Sequence, residues 1–304
     1  MTKKNTFTDP YYTYYIVHKS KNFEEWYNDN TISFKEYRKN WTDRPEKSKK
    51  GKFPLSLNIE ITTKCNLACT FCYHRELKEE QKIHMNMDLF KKIIDEAKNY
   101  NLPAVNLNGL GEPITHPKLI EMIKYCKDSN IEDIMFHTNG TVMTEKQAKG
   151  IIEAGCTRLI FSLDSPNKDT YESMRIGASF EEVNANVLKF LKIRNSLKSK
   201  TPLVTVTMVL TDKTVNETND FKKKWKDHAD HITAQDLVYS FDVVDEKTDS
   251  KSWISKEKSY YQLNKDEIIE NQKKTKEFFR CAYLYQSLKI HPNGNIDPCT
   301  PRNA

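Results

Sequence analysis

The chain of 304 residues has no run of about 18 or more apolar residues, so we expect no membrane-spanning helix. Its first residues, MTKKNTFTDPYYTYYIVHK, lack the apolar core of a signal peptide. The chain also lacks a basic face with aromatic platforms, because its formal net charge of +6 comes largely from short lysine-rich runs that are typical of solvated surface. We therefore expect a cytoplasmic protein whose partners include neither a membrane nor a nucleic acid.

The cysteine count argues against a disulfide framework. The sequence has seven cysteines, and an odd number in a cytoplasmic chain favours thiol ligands over disulfides. Cys126 and Cys156 each stand alone in an apolar pattern, so we assign them to the core. Three others are crowded into the stretch CNLACTFC at positions 65–72, which calls for a chemical explanation.

From residue 55 onward, segments with the period of strands alternate with segments that have the period of helices. The predicted strands are 56–62, 104–109, 133–140, 157–164, 202–210 and 231–241, and the predicted helices are 87–100, 116–129, 144–155, 179–195 and 219–230. This alternation is typical of a parallel sheet. A closed eight-fold barrel usually needs about 250 residues. Because fewer units fit here, we predict an α/β fold with a partial (β/α)6 TIM-like barrel.

The chain divides into three parts by its pattern. Residues 1–53 are aromatic, charged and weakly patterned, and we predict a short N-terminal extension with one or two short helices that pack on the main domain. Residues 54–245 form the predicted barrel. Residues 246–304 are predicted to hold a linker helix and, in SLKIHPNGNIDP, a hairpin around Pro-Asn-Gly.

In each predicted strand alternate positions form two faces, of which one is apolar and the other is often polar. A parallel sheet covered on both faces would instead read as continuous apolar runs. The polar face must therefore line a lumen that is wet or filled by a ligand, and the candidates for contact with a substrate there are Glu60, His137 and Asp164. The alternative is that these polar groups satisfy one another inside a packed barrel.

The three crowded cysteines, Cys65, Cys69 and Cys72, directly follow the first barrel strand, at the end where barrel enzymes build active sites. Iron–sulfur and structural zinc sites usually take four protein ligands. Three thiolates can hold three irons of a 4Fe–4S cube and leave the fourth iron open to an exogenous ligand. The alternative is a zinc site completed by His74, although zinc ligands normally come in two well-spaced pairs.

The arrangement C-x3-C-x2-C after the strand LNIEIT resembles the radical SAM superfamily. In that family the amino and carboxylate groups of S-adenosylmethionine (SAM) chelate the fourth iron. An electron from the reduced cluster cleaves SAM to a 5′-deoxyadenosyl radical, which abstracts hydrogen from the substrate. The resemblance implies an enzyme with a 4Fe–4S cluster and SAM as cofactors, and flavodoxin or ferredoxin as electron donor.

Two further features fit this resemblance. Phe71 stands before the third cysteine, where the family favours an aromatic residue whose backbone contacts adenine. The run GLGEP, residues 109–113, resembles the family's Gly-Gly-Glu-Pro motif, with Leu110 inserted between the glycines. The resemblance implies that Gly109, Gly111 and Glu112 bind the methionyl amino group, since glycines let the backbone approach a ligand closely.

Two later segments also resemble the family. SLDSPNKDTYESMR, residues 162–175, implies that Ser162 contacts SAM and that Arg175 binds its carboxylate, for which a planar guanidinium is suited. The alternative for Arg175 is a surface salt bridge. The sequence HTNG implies that Thr138 and Asn139 contact the ribose, and the alternative is a simple Asn-Gly turn.

Cys281 and Cys299 lie on either side of the predicted hairpin, in the stretch CAYLYQSLKIHPNGNIDPC. It resembles the start of a SPASM or twitch extension, which holds auxiliary 4Fe–4S clusters. Two cysteines cannot complete a four-thiolate cluster, so we expect the sequence to be a fragment of a longer protein. The alternatives are a vestigial auxiliary site or two buried thiols beside a hairpin.

The resemblance implies a radical SAM enzyme, and the sequence favours a small-molecule substrate such as a sugar or sugar nucleotide. Peptide maturases in the family often carry a leader-binding winged-helix domain, and residues 1–53 are too short for one. The alternative is a maturase that modifies a ribosomal peptide or protein. A more distant alternative is a zinc-binding module without enzymatic activity.

Overall fold

The fold is one mixed sheet flanked by helices. A computed structural model of the protein describes residues 14–237 and 281–298. Its strands are β1 (Tyr14–Lys19), β2 (Ser56–Ile59), β3 (Ala104–Asn106), β4 (Asp133–Thr138), β5 (Arg158–Ser162), β6 (Leu203–Leu210), β7 (His231–Asp236), β8 (Ser287–Ile290) and β9 (Ile296–Asp297). The linker helix predicted after residue 246, and Cys299, lie outside the described residues.

Helices connect most of these strands. They are α1 (Lys21–Asn28), α2 (Ile32–Glu46), α3 (Met87–Lys98), α4 (Leu119–Asp128), α5 (Glu145–Glu153), α6 (Lys168–Met174), α7 (Phe180–Ser196), α8 (Thr218–Trp225) and the short α9 (Tyr283–Gln286). No helix in the two described segments is both long and apolar enough to cross a bilayer. The helices predicted between strands are confirmed, whereas the sequence patterns missed α6.

Six strands make the wall of the partial barrel. β2 to β7 run parallel, and each pairs with the next along the chain. The order of the whole sheet is β1-β7-β6-β5-β4-β3-β2-β8-β9, so the wall does not close on itself. β1 pairs antiparallel with β7 at one edge, and β8 pairs parallel with β2 at the other. The predicted partial barrel is therefore confirmed, and a strand from each end of the chain flanks it.

The helices begin where the sequence supplies caps. The Thr144 hydroxyl accepts a hydrogen bond from the Gln147 N–H, and the Gln147 side chain accepts one from the Thr144 N–H. The Ser179 hydroxyl accepts from the Glu182 N–H at 3.3 Å. These caps satisfy N–H groups that the first turn of a helix leaves unpaired, so α5 and α7 start directly after them.

The two predicted faces of the strands are present. Leu57, Val105 and Phe161 point to one side and are buried in the main apolar core beneath the helices. Alternate residues point to the other side, and Thr207 and Thr233 among them are also buried, at 2% and 0% exposure. Because both faces are shielded from solvent, the polar face lies inside the barrel.

The N-terminal extension closes the end of the barrel opposite to the cysteines. Phe34 and Tyr37 of α2 pack on Leu55 and Ala104, at the amino ends of β2 and β3. The Tyr37 hydroxyl donates to Asp133 Oδ2 at 3.4 Å, which ties α2 to the start of β4. A cleft of ≈ 1130 Å³ lies between α2 and the loops before β3 and β4. Helix α2 thus packs on the barrel, and β1 adds a further strand to the sheet.

We predict that Phe34→Ala lowers the free energy of unfolding by about 3–5 kcal/mol, because the ring is 1% exposed and its removal leaves a cavity between α2 and the sheet. Urea denaturation measures the change. The matched control is Ile32→Ala on the same helix, since Ile32 is 86% exposed and should cost no more than about 0.5 kcal/mol. Equal stabilities of the two variants would contradict the packing of α2.

Candidate active site

Three loops meet at the carboxyl ends of neighbouring strands. We name them the cysteine loop (residues 62–72, after β2), the Gly-Glu loop (residues 109–113, after β3) and the Asn-Gly loop (residues 137–141, at the end of β4). The Glu112 N–H donates to the Lys64 carbonyl at 2.8 Å, which joins the first two loops. Parallel strands end at the same edge of a sheet, so the barrel brings these three segments together.

The three thiols of the cysteine loop lie close to one another. Burial raises the pKa of Cys65 to about 11 and that of Cys72 to about 12, and it also raises the pKa of Cys69. Charge on Cys69 contributes to the rise of the pKa at both of the other thiols. A thiol whose pKa is about 11 or about 12, as at Cys65 and Cys72, stays protonated near neutral pH unless a cationic group binds it.

The environment of the thiols fits an iron–sulfur cluster. The backbone N–H groups of Leu67 and His74 donate hydrogen bonds that lower the pKa of Cys65 and Cys72, respectively. Hydrogen bonds to the sulfurs are one means by which proteins tune such clusters. The positive charge of the irons would also offset the cost of ionising buried thiols. The residues present therefore suit a 4Fe–4S cube held on three of its irons.

The zinc alternative finds no support in the geometry. Among residues 14–237 and 281–298, no three His, Cys, Asp or Glu side chains, the three thiols included, converge as ligands of a single metal ion, whereas a cube binds each thiol through a different iron. The pKa of the buried His74 is lowered by burial and by Lys82, and the Thr63 backbone is its hydrogen-bonding neighbour. The side chain of His74 therefore lies against the Thr63 backbone. The backbone N–H of His74 donates a hydrogen bond to Cys72.

The glycines of the Gly-Glu loop allow it to lie directly on the residues that follow β2. A Cβ at Gly111 would overlap the Thr62 carbonyl and would come within 2.6 Å of the Lys64 carbonyl. A Cβ at Gly109 would overlap the Glu60 side chain. Backbone cannot move aside as a flexible side chain can, so residue 111 has to be glycine for this approach.

Glu112 is buried and holds the Asn-Gly loop against the Gly-Glu loop. Its Oε1 accepts from the Thr138 hydroxyl at 2.7 Å and from the Ile114 N–H at 3.1 Å. Its Oε2 accepts from the Asn139 N–H at 2.6 Å. Burial raises the pKa of Glu112, and these hydrogen bonds and Arg175 oppose the rise. The carboxylate is thus a junction between two of the three loops.

Thr138 and Asn139 support this junction. The Thr138 hydroxyl is engaged with Glu112 and also accepts from the Gly140 N–H at 3.0 Å. The Asn139 side chain donates to Asn66 Oδ1 at 3.0 Å, between the first two cysteines, and accepts from the Thr141 N–H at 2.9 Å. The Asn-Gly loop is therefore tied to both other loops, and the ribose contacts implied by the resemblance stay a prediction.

Arg175 lies beside the cysteine loop and is buried. Its Nη1 is 4.0 Å from Cys69 Sγ, and its guanidinium lies 5.7 Å from the centre of the Phe71 ring. Its Nε donates to Asp164 Oδ2 at 2.6 Å. Because Arg175 is 6% exposed, the alternative of a surface salt bridge is wrong, and the ion pair is an internal one.

The other candidates from the sequence occupy different surroundings. Asp164 is fully buried, and its second oxygen accepts from the Val209 N–H at 3.1 Å, so its carboxylate is engaged within the protein. Ser162 lies in register with Thr207 on the polar face. His137 also lies on that face, where burial and then Arg158 lower its pKa to about 4, which leaves the ring neutral at physiological pH.

Glu60 lies under the Gly-Glu loop and beside the C-terminal hairpin. Its Oε1 accepts from the Leu110 N–H at 2.6 Å, and its Oε2 lies 2.8 Å from His291 Nδ1. The sequence patterns missed this partnership because His291 is 231 residues away along the chain. They also missed Asn66, whose position between two cysteines is the one sequence signal that could have marked it.

The three thiols lie at the carboxyl ends of barrel strands, where enzymes of this architecture build their active sites. A profile of the Radical SAM superfamily matches residues 59–223, which is more than half of the sequence. The chain belongs to the radical SAM superfamily, so it is an enzyme whose cofactors are a 4Fe–4S cluster and SAM.

The chain is similar to enzymes with different named activities. It is 32% identical over 167 residues to a probable GTP 3′,8-cyclase from Methanococcus maripaludis, a match that covers 55% of this chain and 53% of the relative. It is 31% identical over 160 residues to a tungsten-containing aldehyde ferredoxin oxidoreductase cofactor-modifying protein from Pyrococcus furiosus, with 51% of this chain and 43% of the relative covered. The chain spans about half the length of the curated relatives it matches.

Solved structures confirm the fold over a longer stretch. The crystal structure of Streptococcus suis SuiB bound to the precursor peptide SuiA matches 90% of this chain and 65% of its own, with a TM-score of 0.61 and 17% identity. SuiB bound to S-adenosylmethionine matches 89% of this chain and 66% of its own, with a TM-score of 0.59 and 15% identity. At this level of identity the likeness establishes a common fold and nothing about the substrate.

We predict that Gly111→Ala raises the dissociation constant for SAM about tenfold or more, the equivalent of about 1.4 kcal/mol, because the new methyl group lifts the Gly-Glu loop off the backbone of the cysteine loop. Isothermal titration calorimetry without reductant measures this constant. The matched control is Gly150→Ala in α5, where the added methyl meets only the flexible end of Ile120. Wild-type affinity in Gly111→Ala would remove the loop from the binding site.

Proposed function

We propose that Cys65, Cys69 and Cys72 hold the 4Fe–4S cluster and that the Gly-Glu loop and Arg175 bind SAM beside it. When bound, the cluster supplies the electron that cleaves SAM to the 5′-deoxyadenosyl radical that takes hydrogen from the substrate. The observation that carries this proposal is that a buried guanidinium, 4.0 Å from Cys69 Sγ, and the buried carboxylate of Glu112 both interact with Cys65 and Cys69.

Glu112 is suited to a cationic amino group. An ionised carboxylate has about four acceptor sites, and the donors from Ile114, Thr138 and Asn139 occupy three of them. One site is left for a further donor. A bound ammonium group would also oppose the effect of burial on the pKa of Glu112, because an opposite charge favours the ionised form.

Arg175 is suited to a carboxylate. Its Nε is engaged by Asp164, which fixes the plane of the guanidinium and leaves the Nη groups directed toward the cysteine loop. A planar guanidinium binds a carboxylate through two parallel hydrogen bonds. In this assignment Asp164 is a positioning residue, and Ser162 at the end of β5 is a further SAM contact.

The lumen is suited to a polar small molecule. Thr207 and Thr233 pair across β6 and β7, and the hydroxyl of each is buried without a hydrogen-bond partner within the described part of the chain. Ser56 Oγ and Asn106 Oδ1, on the opposite strands, are likewise without one. Buried polar groups are normally hydrogen-bonded, so these atoms are available to the hydroxyl and amide groups of a substrate.

A sugar or sugar nucleotide meets these requirements, with His137 and Glu60 as further polar groups near the lumen. The curated relatives named for GTP and for a cofactor support a small molecule. The alternative is a peptide or protein substrate, which the SuiA-bound neighbour illustrates for its own chain.

The remaining parts of the chain have proposed roles as well. We propose the division into an extension (1–53), a barrel (54–245) and a C-terminal region (246–304) that begins a SPASM- or twitch-like extension. The pairing of β8 with β2 supports this, because it docks the hairpin directly on the barrel. Cys281 and Cys299 are the proposed ligands of an auxiliary 4Fe–4S cluster, and flavodoxin or ferredoxin the proposed electron donor.

We predict that Cys65→Ala, Cys69→Ala and Cys72→Ala each abolish formation of 5′-deoxyadenosine, because a cube held by two thiolates lacks a stable anchor. Iron content and visible absorbance after anaerobic reconstitution, followed by chromatography of the SAM products, measure the effect. Cys126→Ala is the control, since this thiol is buried in α4 and should leave iron binding at the cysteine loop unchanged. Normal turnover in any of the three variants would refute the ligand assignment.

We predict that Thr207→Val weakens the binding of a polar small molecule about tenfold, because valine keeps the shape and removes the free hydroxyl. Calorimetry with GTP and with UDP-glucose as probes measures binding. The control is Thr218→Val in α8, where the hydroxyl bonds the Val215 carbonyl outside the lumen. Failure of both probes to bind the wild-type protein, or equal binding by Thr207→Val, would count against the lumen as the site for a small molecule.

A further inference from the structure

A chain of polar contacts runs from the C-terminal hairpin to the Gly-Glu loop. Asp297 Oδ2 of β9 lies 2.7 Å from His291 Nε2, and His291 Nδ1 lies 2.8 Å from Glu60 Oε2. The other oxygen of Glu60 accepts from the Leu110 N–H at 2.6 Å. The side chains of His291 and Asp297 are 19% and 23% exposed, whereas that of Glu60 is 1% exposed. Three side chains thus connect the protein surface to a loop that we assign to SAM binding.

The geometry requires a positive charge on His291. Ionised carboxylates only accept hydrogen bonds, and a neutral imidazole has a single N–H donor. An imidazole between two carboxylates can therefore satisfy both only as the imidazolium ion. The hydrogen bond with Glu60 is the largest cause of a raised pKa for His291; burial lowers this pKa, Asp297 raises it and Lys289 lowers it.

Glu60 in turn depends on this cation. Burial raises the pKa of Glu60, but the hydrogen bond with His291, the charge of Lys289 and the Leu110 N–H together outweigh burial and leave the pKa lowered. Lys289 Nζ lies 3.7 Å from the same oxygen as His291. Without the imidazolium, the buried carboxylate would keep a single cation at a longer distance, and such loss of a partner is costly for a buried charge.

The Gly-Glu loop rests on the Glu60 carboxyl group. Gly109 packs so closely on it that a Cβ would overlap its carboxyl carbon and oxygen, and the next residue donates its N–H to it. Gly111 and Glu112 follow directly and lie on the backbone of the cysteine loop. A displacement of the Glu60 carboxyl group would therefore move the part of the loop that is assigned to SAM.

We propose that Glu60, His291 and Asp297 are positioning residues through which the C-terminal hairpin controls the affinity of the Gly-Glu loop for SAM. This inference rests on the proposed function, because it takes the Gly-Glu loop as part of the SAM site. It gives Glu60 a role different from contact with the substrate. It also explains why the hairpin docks on β2, the strand that leads into the cysteine loop.

The coupling has a defined dependence on pH. The pKa of His291 in the folded protein is raised above its ordinary value of about 6.5. The charge-assisted bridge is therefore fully present below that ordinary value and is lost as the pH rises through the raised value. The charged groups that face His291 and its partner Glu60 are Glu60 itself, just after β2, Asp297 of β9 and Lys289 of β8.

The test is the dissociation constant for SAM, measured by calorimetry on cluster-loaded protein without reductant at about pH 6 and about pH 9. For the wild type we expect affinity to weaken at least fivefold at the higher pH. For His291→Gln we expect weak binding, about tenfold below wild type at the lower pH, with no change between the two. His228→Gln, at an exposed histidine of the segment after α8, is the matched control and should behave as wild type.

Glu60→Gln keeps the test decisive if His291→Gln fails to fold. Its amide oxygen can still accept from the Leu110 N–H, while its dependence on a cation is gone, so we expect affinity within about threefold of wild type at the lower pH and no change with pH. The same pH response in Glu60→Gln, or in His291→Gln, as in the wild type would overturn the inference. Wild-type protein that binds SAM equally at both pH values would also overturn the inference, but the proposed function would stand. Cluster-loaded wild-type protein that binds no SAM would overturn both the inference and the proposed function.

Discussion

The buried carboxylate of Glu112 is the contact on which the geometry of the site depends. Taking an ionised carboxylate out of water costs several kcal/mol unless hydrogen bonds replace the lost solvation. Here the replacement comes from Thr138 and Asn139 of the Asn-Gly loop and from Ile114 just beyond Glu112 itself. Separation of the two loops would therefore leave the buried Glu112 carboxylate without these hydrogen-bond donors. Because the Glu112 N–H also bonds Lys64, the cysteine loop is held in the same arrangement.

Strands from the two ends of the chain cover the open edges of the six-stranded wall. An open wall has two edges whose backbone groups lack partners, and such edges invite unwanted pairing. β1 covers the edge at β7, and β8 covers the edge at β2. The second edge is also the one that leads into the cysteine loop, so the strand that protects it is placed next to that loop. Protection of the sheet and support of the site thus use the same element.

Local patterns predicted most of the barrel because each signal lies within one element. The strand and helix periods and the motifs around Cys65 and Glu112 can be read from neighbouring residues, and the structure places these motifs at the same end of the sheet. The patterns missed β1 because a strand at an edge is defined by its partner, and that partner is β7, more than 200 residues away. Asp164 is a similar case. Its residue type and position in the sequence suggested a side chain that faces the lumen, but in the structure its carboxylate accepts a hydrogen bond from Arg175.

The sequence by itself determined the order of the six barrel strands, the helices between most of them and the family of the chain, since these depend on residue type at fixed local spacing. Only the tertiary structure decided what the charged side chains do. Whether a carboxylate contacts a substrate, an arginine or a histidine depends on which distant element packs against it, as with Glu60 and His291. Burial then makes each such pairing obligatory, because a charge removed from water has to find its partner inside the protein.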